Sequence, residues 1–239
     1  MILSTPAVVL HTIPYGDTSV IAQVYSRDRG LLGIIVKGVR GGKKNRKSAL
    51  FQALTILEIQ INLKENKDLH YLRDMRVLHP YTGIPFSTPK TAQALFIAEL
   101  LKKSIREEEK NEALFEYIVD ALQFLDEMPE VIPHFHHKFL LELSRHLGFY
   151  PEDNYDEQHP FFQFTDGVFH HSFGDTCVDM GPSFDIQQLL KVNFANLDKI
   201  QMGRERRKAL LRNLLQYYRW HLPSFKELQT PDVLEAVFG

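Results

Sequence analysis

The feature that most constrains the fold is a change of periodicity at His79-Pro80-Tyr81. Before it, runs rich in Val, Ile, Thr and Tyr alternate with turn residues; after it, apolar residues recur at helical spacing. Strands are expected over 7–15, 18–26, 31–39, 54–62 and 69–77. Gly16-Asp17 and Asp28-Arg29-Gly30 fill the first two gaps and a polar turn at 64–68 fills the last. Five short antiparallel strands are few for a sandwich. They suit a small, partly open barrel of the oligonucleotide-binding type (OB-fold), with an SH3-like barrel as the alternative.

The third gap is unlike the others. Residues 37–47 read Lys-Gly-Val-Arg-Gly-Gly-Lys-Lys-Asn-Arg-Lys: six of eleven positions are cationic, three are glycine and none is acidic. Such a stretch cannot enter a core, so a solvated loop carried between two strands is expected. Its one-signed charge, and glycines that let backbone N–H groups approach phosphate, point to a polyanion. The neighbourhood agrees. Residues 1–80 hold 12 Lys+Arg against 6 Asp+Glu, whereas residues 81–239 hold 16 against 24. The candidate nucleic-acid or other polyanion contacts are Lys37, Arg40, Lys43, Lys44, Arg46 and Lys47, and Arg27, Arg29, Lys64 and Lys67 in other turns of the barrel can widen the patch. Tyr15, Tyr25, Phe51 and Tyr71 are available for stacking on bases, although each is also an ordinary barrel-core or cross-strand residue.

Past the boundary, Thr88-Pro89 reads as a helix start with Thr88 as cap, running to Ile105 or Arg106. A second helix is expected after Asn111, running to about Glu127, and a third after Pro133, through Phe135 and Leu147 to Gly148 as its C′ residue. Residues 149–185 break the pattern with a short hairpin about Asp166-Gly167. Helices return over 184–194, 204–221 and 230–238. The expected class is α+β and multidomain: an OB-fold barrel over 1–80, then an α-helical domain over 81–239 interrupted by a small β-containing insertion at 149–185.

Several function classes lose ground. One cysteine, Cys177, permits no internal disulfide and no thiolate-rich zinc site. The apolar runs fall short of the ~18 residues of a membrane span and no cleavable leader opens the chain, so a cytoplasmic protein without membrane association is expected. Gly42-Lys43 is followed by Lys44, which does not complete a P-loop. His134, His136 and His137 are expected to be surface or partly buried residues, and with His159, His170, His171 and Cys177 they lack regular metal-ligand spacing. No catalytic residue, metal ligand or cofactor is assigned. The cations of the 204–221 helix, Arg204, Arg206, Arg207, Lys208 and Arg212, form an ordinary solvent side that can also meet DNA or an acidic tail.

Tyr15-Gly16-Asp17-Thr18-Ser19, Arg29-Gly30-Leu31-Leu32, Val36-Lys37-Gly38-Val39-Arg40, Leu50-Phe51-Gln52 and Asp68-Leu69 with Leu72 mark the strand-rich half, and Phe139 to Leu143, Leu147-Gly148-Phe149-Tyr150-Pro151, Tyr217 to Leu222 and Val233-Leu234 the helical half. In these motifs the chain resembles the RecO family of bacterial DNA repair proteins, the first set its N-terminal barrel and the second its helical part. The resemblance implies a recombination mediator that binds single- and double-stranded DNA, anneals complementary strands and works with RecR to load RecA onto DNA coated by single-stranded-DNA-binding protein. DNA contact carries over to Lys37, Arg40 and the cations after them. An acidic, apolar tail of single-stranded-DNA-binding protein is expected in the helical domain, with Lys138 and Arg145 as candidates. Many relatives carry a four-cysteine zinc module after the Leu-Gly-Phe turn; here only Cys177 remains, so aromatics must hold that module. Ala53 stands where a proline is frequent. The other functional classes weighed are a protein-binding adaptor whose basic loop meets RNA or an acidic partner, and a metal-dependent nuclease using the acidic and histidine-rich segment.

Overall fold

In the computed structural model, residues 1–39, 49–64, 67–106 and 109–238 are described. They form two compact units, Met1–Met128 and Pro129–Gly239.

In the first unit, β1 (Ile2–Tyr15), β2 (Ser19–Ser26), β3 (Gly30–Val36), β4 (Ile56–Asn62) and β5 (Leu69–His79) close into a barrel in the order β1-β2-β3-β5-β4. The β3–β5 pair is parallel and the other pairs are antiparallel. This is an OB-type barrel, closed where the sequence suggested a partly open one. Strand β1 serves two neighbours: its first half pairs with β4 and its second with β2, bending at a bulge between Val9 and His11. The alternation is strict enough to define two surfaces. Val20, Ala22, Val24, Ile34, Val36, Leu57, Ile59 and Ile61 fill the interior, so the intervening Ile21, Gln23 and Ile35 point outward.

Three strand boundaries correct the sequence reading. Strand β1 begins at Ile2 because polar Ser4 and Thr5 and the donor-free Pro6 hide a segment that still registers with β4. Strand β3 ends at Val36, since Gly38 takes a left-handed φ of 69°. Strand β4 starts at Ile56 because Leu54, at φ 69°, also leaves the extended region. Leu54 is held there by donating its N–H to the Val9 carbonyl at 2.7 Å, while its own carbonyl accepts the Tyr81 hydroxyl at 2.7 Å.

Helices α1 (Thr88–Ser104) and α2 (Glu112–Glu127) complete this unit. Ser87, not Thr88, is the α1 cap residue, with Pro89 in the first turn where its missing donor costs nothing. Asn111 caps α2 by accepting the Leu114 N–H at 2.9 Å. The buried Asp126 carboxylate accepts the backbone N–H groups of Thr82, Gly83 and Ile84 at 2.9, 2.8 and 2.7 Å. Burial alone would raise its pKa, but those three donors and nearby His79 hold it below the usual carboxylate range. Buried Lys90 donates to the Asp126 and Met128 carbonyls, both at 2.7 Å, so the end of α2, the start of α1 and the chain leaving the barrel meet at one polar node.

The second unit contains α3 (Phe135–His146), the short strands β6 (Phe161–Phe162) and β7 (Phe169–His170), α4 (Met180–Lys191), α5 (Arg204–His221) and α6 (Thr230–Phe238). Helix α4 starts four residues before the expected 184, because Gly181 and Pro182 sit in its first turn, whose N–H groups need no intrahelical acceptor. Aromatic contacts bind the hairpin segment to α5. Phe162 lies 5.2 Å from Tyr217, Phe149 stacks on His221 at 5.0 Å, and the hydroxyls of Tyr217 and Tyr218 donate to the Phe149 and Leu140 carbonyls at 2.6 Å. No helix among the described residues is long and apolar enough to cross a membrane.

Candidate nucleic-acid interface

The outward barrel face is built by register. Ile13 pairs with Ile21, Ile21 with Ile35, and Ile35 with Tyr71, so these four side chains cross β1, β2, β3 and β5 as one row. Ile13 is 49% exposed and Tyr71 39%. One step along the same faces come Tyr15, 48% exposed, and Lys37, which follows β3. The Lys37 ammonium sits 4.8 Å from the centre of the Tyr71 ring, and Lys37 forms no ion pair among the described residues. Exposed Lys64 and Lys67 flank the β4–β5 turn, and exposed Arg73 falls at a β5 bulge between the Gln60 and Ile61 pairings.

Gly33 makes this arrangement feasible. A Cβ there would stand 2.7 Å from Leu69 Cδ2 and 2.8 Å from the Asp68 carbonyl, so only glycine lets β5 approach β3 closely enough to bring Tyr71 beside Ile35. The four aromatics that sequence could not rank are now separated. Phe51, 3% exposed, packs in the barrel core; Tyr25, 1% exposed, shares the outward parity of Ile21 and Gln23 but is covered, its hydroxyl donating to the Asn111 carbonyl at 3.3 Å; Tyr15 and Tyr71 are exposed.

The candidate cations do not all converge. Lys37 stands at the C-terminal end of β3, while Arg27 and Arg29 lie at its N-terminal end, about 20–25 Å away along a seven-residue strand. Arg29 is exposed; Arg27 is half-buried with its Nε 3.4 Å from the Asp28 carboxylate. Asp28 is held below its ordinary pKa, first by the Thr5 hydroxyl and also by Arg27. Arg40, Lys43, Lys44, Arg46 and Lys47 lie outside the described residues.

In the helical unit, Lys138 is buried, its ammonium donating to Glu142 and to the Leu189 carbonyl at 2.8 Å. Burial lowers its pKa and Glu142 partly restores it. Its charge is therefore satisfied inside the fold, and Arg145 is the exposed member of the pair, with its guanidinium 3.5 Å above the Tyr150 ring and its Nε 3.1 Å from Glu142. A separate groove of about 380 Å³ runs along α5 and α6. Its walls include Leu211, Leu215, Leu228 and Leu234, and its cations include Arg207, Arg212 and Arg219. Glu227, Asp232 and Glu235 also line it, and most α5 cations are already engaged: Arg204 and Lys208 with Glu235, Arg206 with Asp185, Arg207 with the Met202 and Phe238 carbonyls, and Arg219 with Glu227 at 3.6 Å. Arg212 is exposed and forms no ion pair among the described residues.

The histidines turn inward. His134, His136 and His137 are all buried, deeper than expected, with His134 and His137 against the Leu197 and Arg207 carbonyls at 2.9 and 2.8 Å. Among the described residues, no group of three or more His, Cys, Asp or Glu side chains could hold a metal ion.

Comparison with known proteins is consistent along the whole chain. The family model described as "Recombination protein O N terminal" matches residues 1–81, and "Recombination protein O C terminal" matches residues 87–169. DNA repair protein RecO of Christiangramia forsetii is 36% identical, that of Flavobacterium psychrophilum 35% and that of Bacteroides fragilis 34%, each over 100% of both chains. With the OB-type barrel and helical region in the matching order, the chain belongs to the RecO family of DNA repair proteins.

Proposed function

We propose that this protein is a non-enzymatic recombination mediator that binds single- and double-stranded DNA and anneals complementary strands. The observation that carries the reading is Lys37, an exposed cation free of ion pairs among the described residues, set on the outer barrel face where the 37–47 stretch departs. Annealing requires no acid, base or nucleophile. It requires cations that reduce repulsion between two phosphate backbones while base edges stay free to pair. Lys37, Arg40, Lys43, Lys44, Arg46 and Lys47 are assigned that role, with Arg27 and Arg29 as a second backbone contact at the far end of β3.

Family membership supports a reading of the partners. In this reading the protein acts in the cytoplasm with RecR to load RecA onto DNA coated by single-stranded-DNA-binding protein. The acidic tail of that protein needs an apolar groove with a cationic rim. The α5–α6 groove supplies apolar walls and the exposed Arg212, with Arg219 available once an acidic tail displaces its exposed partner Glu227, and Arg145 offers a second cation elsewhere in the unit.

The test is titration of a labelled single-stranded oligonucleotide at several salt concentrations. With four to six phosphates contacted, log affinity falls with log salt at a slope of roughly −3 to −4. The variant K43A/K44A/R46A/K47A is expected to weaken binding severely, with little dependence on sequence, and to flatten the slope. Unchanged binding in that variant would sink the assignment. Strand annealing that persists in chelator supports the mediator; strand cleavage lost with chelator would make the protein a nuclease instead.

A further inference from the structure

We infer that the exposed Tyr71 ring, at the β5 end of the row Ile13–Ile21–Ile35–Tyr71, is a base-stacking group for single-stranded nucleic acid. The inference rests on the DNA-binding reading above and adds which side chains meet the bases.

Three observations converge. First, the register places four apolar or aromatic side chains in a continuous line across β1, β2, β3 and β5, about 14 Å from end to end at ordinary strand spacing. Both ends of the line are open, with Ile13 49% and Tyr71 39% exposed, whereas Ile21 is half-buried and Ile35 is only 6% exposed, so Tyr71 is the ring a base can reach. Second, Tyr71 is fixed from below. Its strand is pressed onto β3 at Gly33, and its neighbour Leu72 packs against the barrel core, so the ring is presented on rigid backbone. Third, the row is bordered by cations and not by carboxylates alone. Lys37 lies over the ring, and exposed Lys64, Lys67 and Arg73 stand on the strand and turn that carry Tyr71, with exposed Asp68 and Asp74 among them.

That combination matches a single strand, whose bases offer flat apolar faces and whose phosphates offer charge at regular intervals. An acidic protein would use the cations and leave the ring idle; duplex DNA keeps its bases stacked and would do the same. The Lys37–Tyr71 contact has a mechanical consequence. In the free protein the ammonium covers a face of the ring that would otherwise be bare. An arriving base takes the ring face, and Lys37 moves to the adjacent phosphate. One side chain thereby protects the platform when empty and holds the backbone when it is occupied.

The experiment compares two labelled oligonucleotides of equal length and charge, oligothymidylate and its fully abasic counterpart, binding to the full chain. Wild type is expected to prefer the base-bearing strand. Tyr71→Leu, which keeps apolar volume but removes the ring, should lower oligothymidylate affinity by roughly five- to tenfold or more and leave abasic binding unchanged, while Tyr71→Phe keeps the preference. Lys37→Ala should weaken both strands and reduce the salt slope by about one. Melting temperatures matching wild type for Tyr71→Phe and Tyr71→Leu exclude misfolding as the cause. Equal affinity of wild type for the two strands, or equal losses in Tyr71→Leu, overturns this inference alone. Failure of wild type to bind either strand overturns the DNA-binding reading and this one with it.

Discussion

His137 is 1% exposed, with Nε2 against the Arg207 carbonyl and Nδ1 buried without a hydrogen-bond partner among the described residues. Desolvation, assisted by neighbouring His134 and Arg207, pushes its pKa down to about 3, and burial also pushes His136 and His134 below the ordinary range. The unfolded chain, with ordinary imidazoles, binds more protons than the folded one between about pH 6.5 and pH 3. Stability is therefore complete above that window and falls as pH drops through it. His137 alone should cost about 2 kcal/mol between pH 7 and pH 5. Chemical denaturation at the two pH values measures this; His137→Asn should flatten the dependence by the same amount. The residue scale is also where sequence said least. Tyr15, Tyr25, Phe51 and Tyr71 occupy comparable strand-rich sequence, yet two are buried and two are exposed. Phe51 packs in the barrel core, while Tyr25 is on the outer side of β2 and is covered where its hydroxyl meets the Asn111 carbonyl, a contact 86 residues away in sequence. Lys138 reads as a surface cation on a helix, and only its contact with Leu189 on another helix reveals that it is internal.

At the scale of elements, Gly33 decides how β3 and β5 meet. Gly33→Ala places a methyl against the Asp68 carbonyl and Leu69, so β5 must shift away from β3. A destabilisation of roughly 1–3 kcal/mol is expected, read from the denaturation midpoint. Faster hydrogen exchange should be confined to the paired Leu69–Tyr71 amides. The same variant should weaken single-strand binding, because Tyr71 is the third residue of that strand. Most elements were legible from composition and period: every expected strand and helix exists, and α2 and α5 fall on Glu112–Glu127 and Arg204–His221 as read. The misplaced ends share a cause. Leu54 is left-handed where a branched apolar run predicts extension, β1 continues through polar residues and a proline, and α4 absorbs Gly181 and Pro182. Local propensity is weak beside pairing with a partner strand or the satisfaction already missing from a helix's first turn.

For the whole molecule, the second unit offers its own test. A synthetic peptide with several acidic residues and an apolar C-terminal residue should bind the α5–α6 groove. Arg212→Glu with Arg219→Glu should lower its affinity at least tenfold, since charge-assisted hydrogen bonds contribute roughly 1.5–3 kcal/mol each. Oligonucleotide binding by the barrel should be untouched. Calorimetry decides between sites: loss of peptide binding in Arg145→Glu with none in the double variant would move the tail to the Tyr150 side of α3. From sequence alone came the division between strand-rich and helical halves, the basic character of the first, the 37–47 cationic stretch and the resemblance that comparison confirmed along the full chain. These depend on periodicity, charge and residue order, which are local properties. Tertiary structure alone decided which aromatics are exposed, that Arg27 and Arg29 stand at the far end of β3 from Lys37, and that Lys138 is sealed while Arg212 is open. Those depend on register, barrel closure and helix packing, which join residues far apart in the chain and leave no local trace in it.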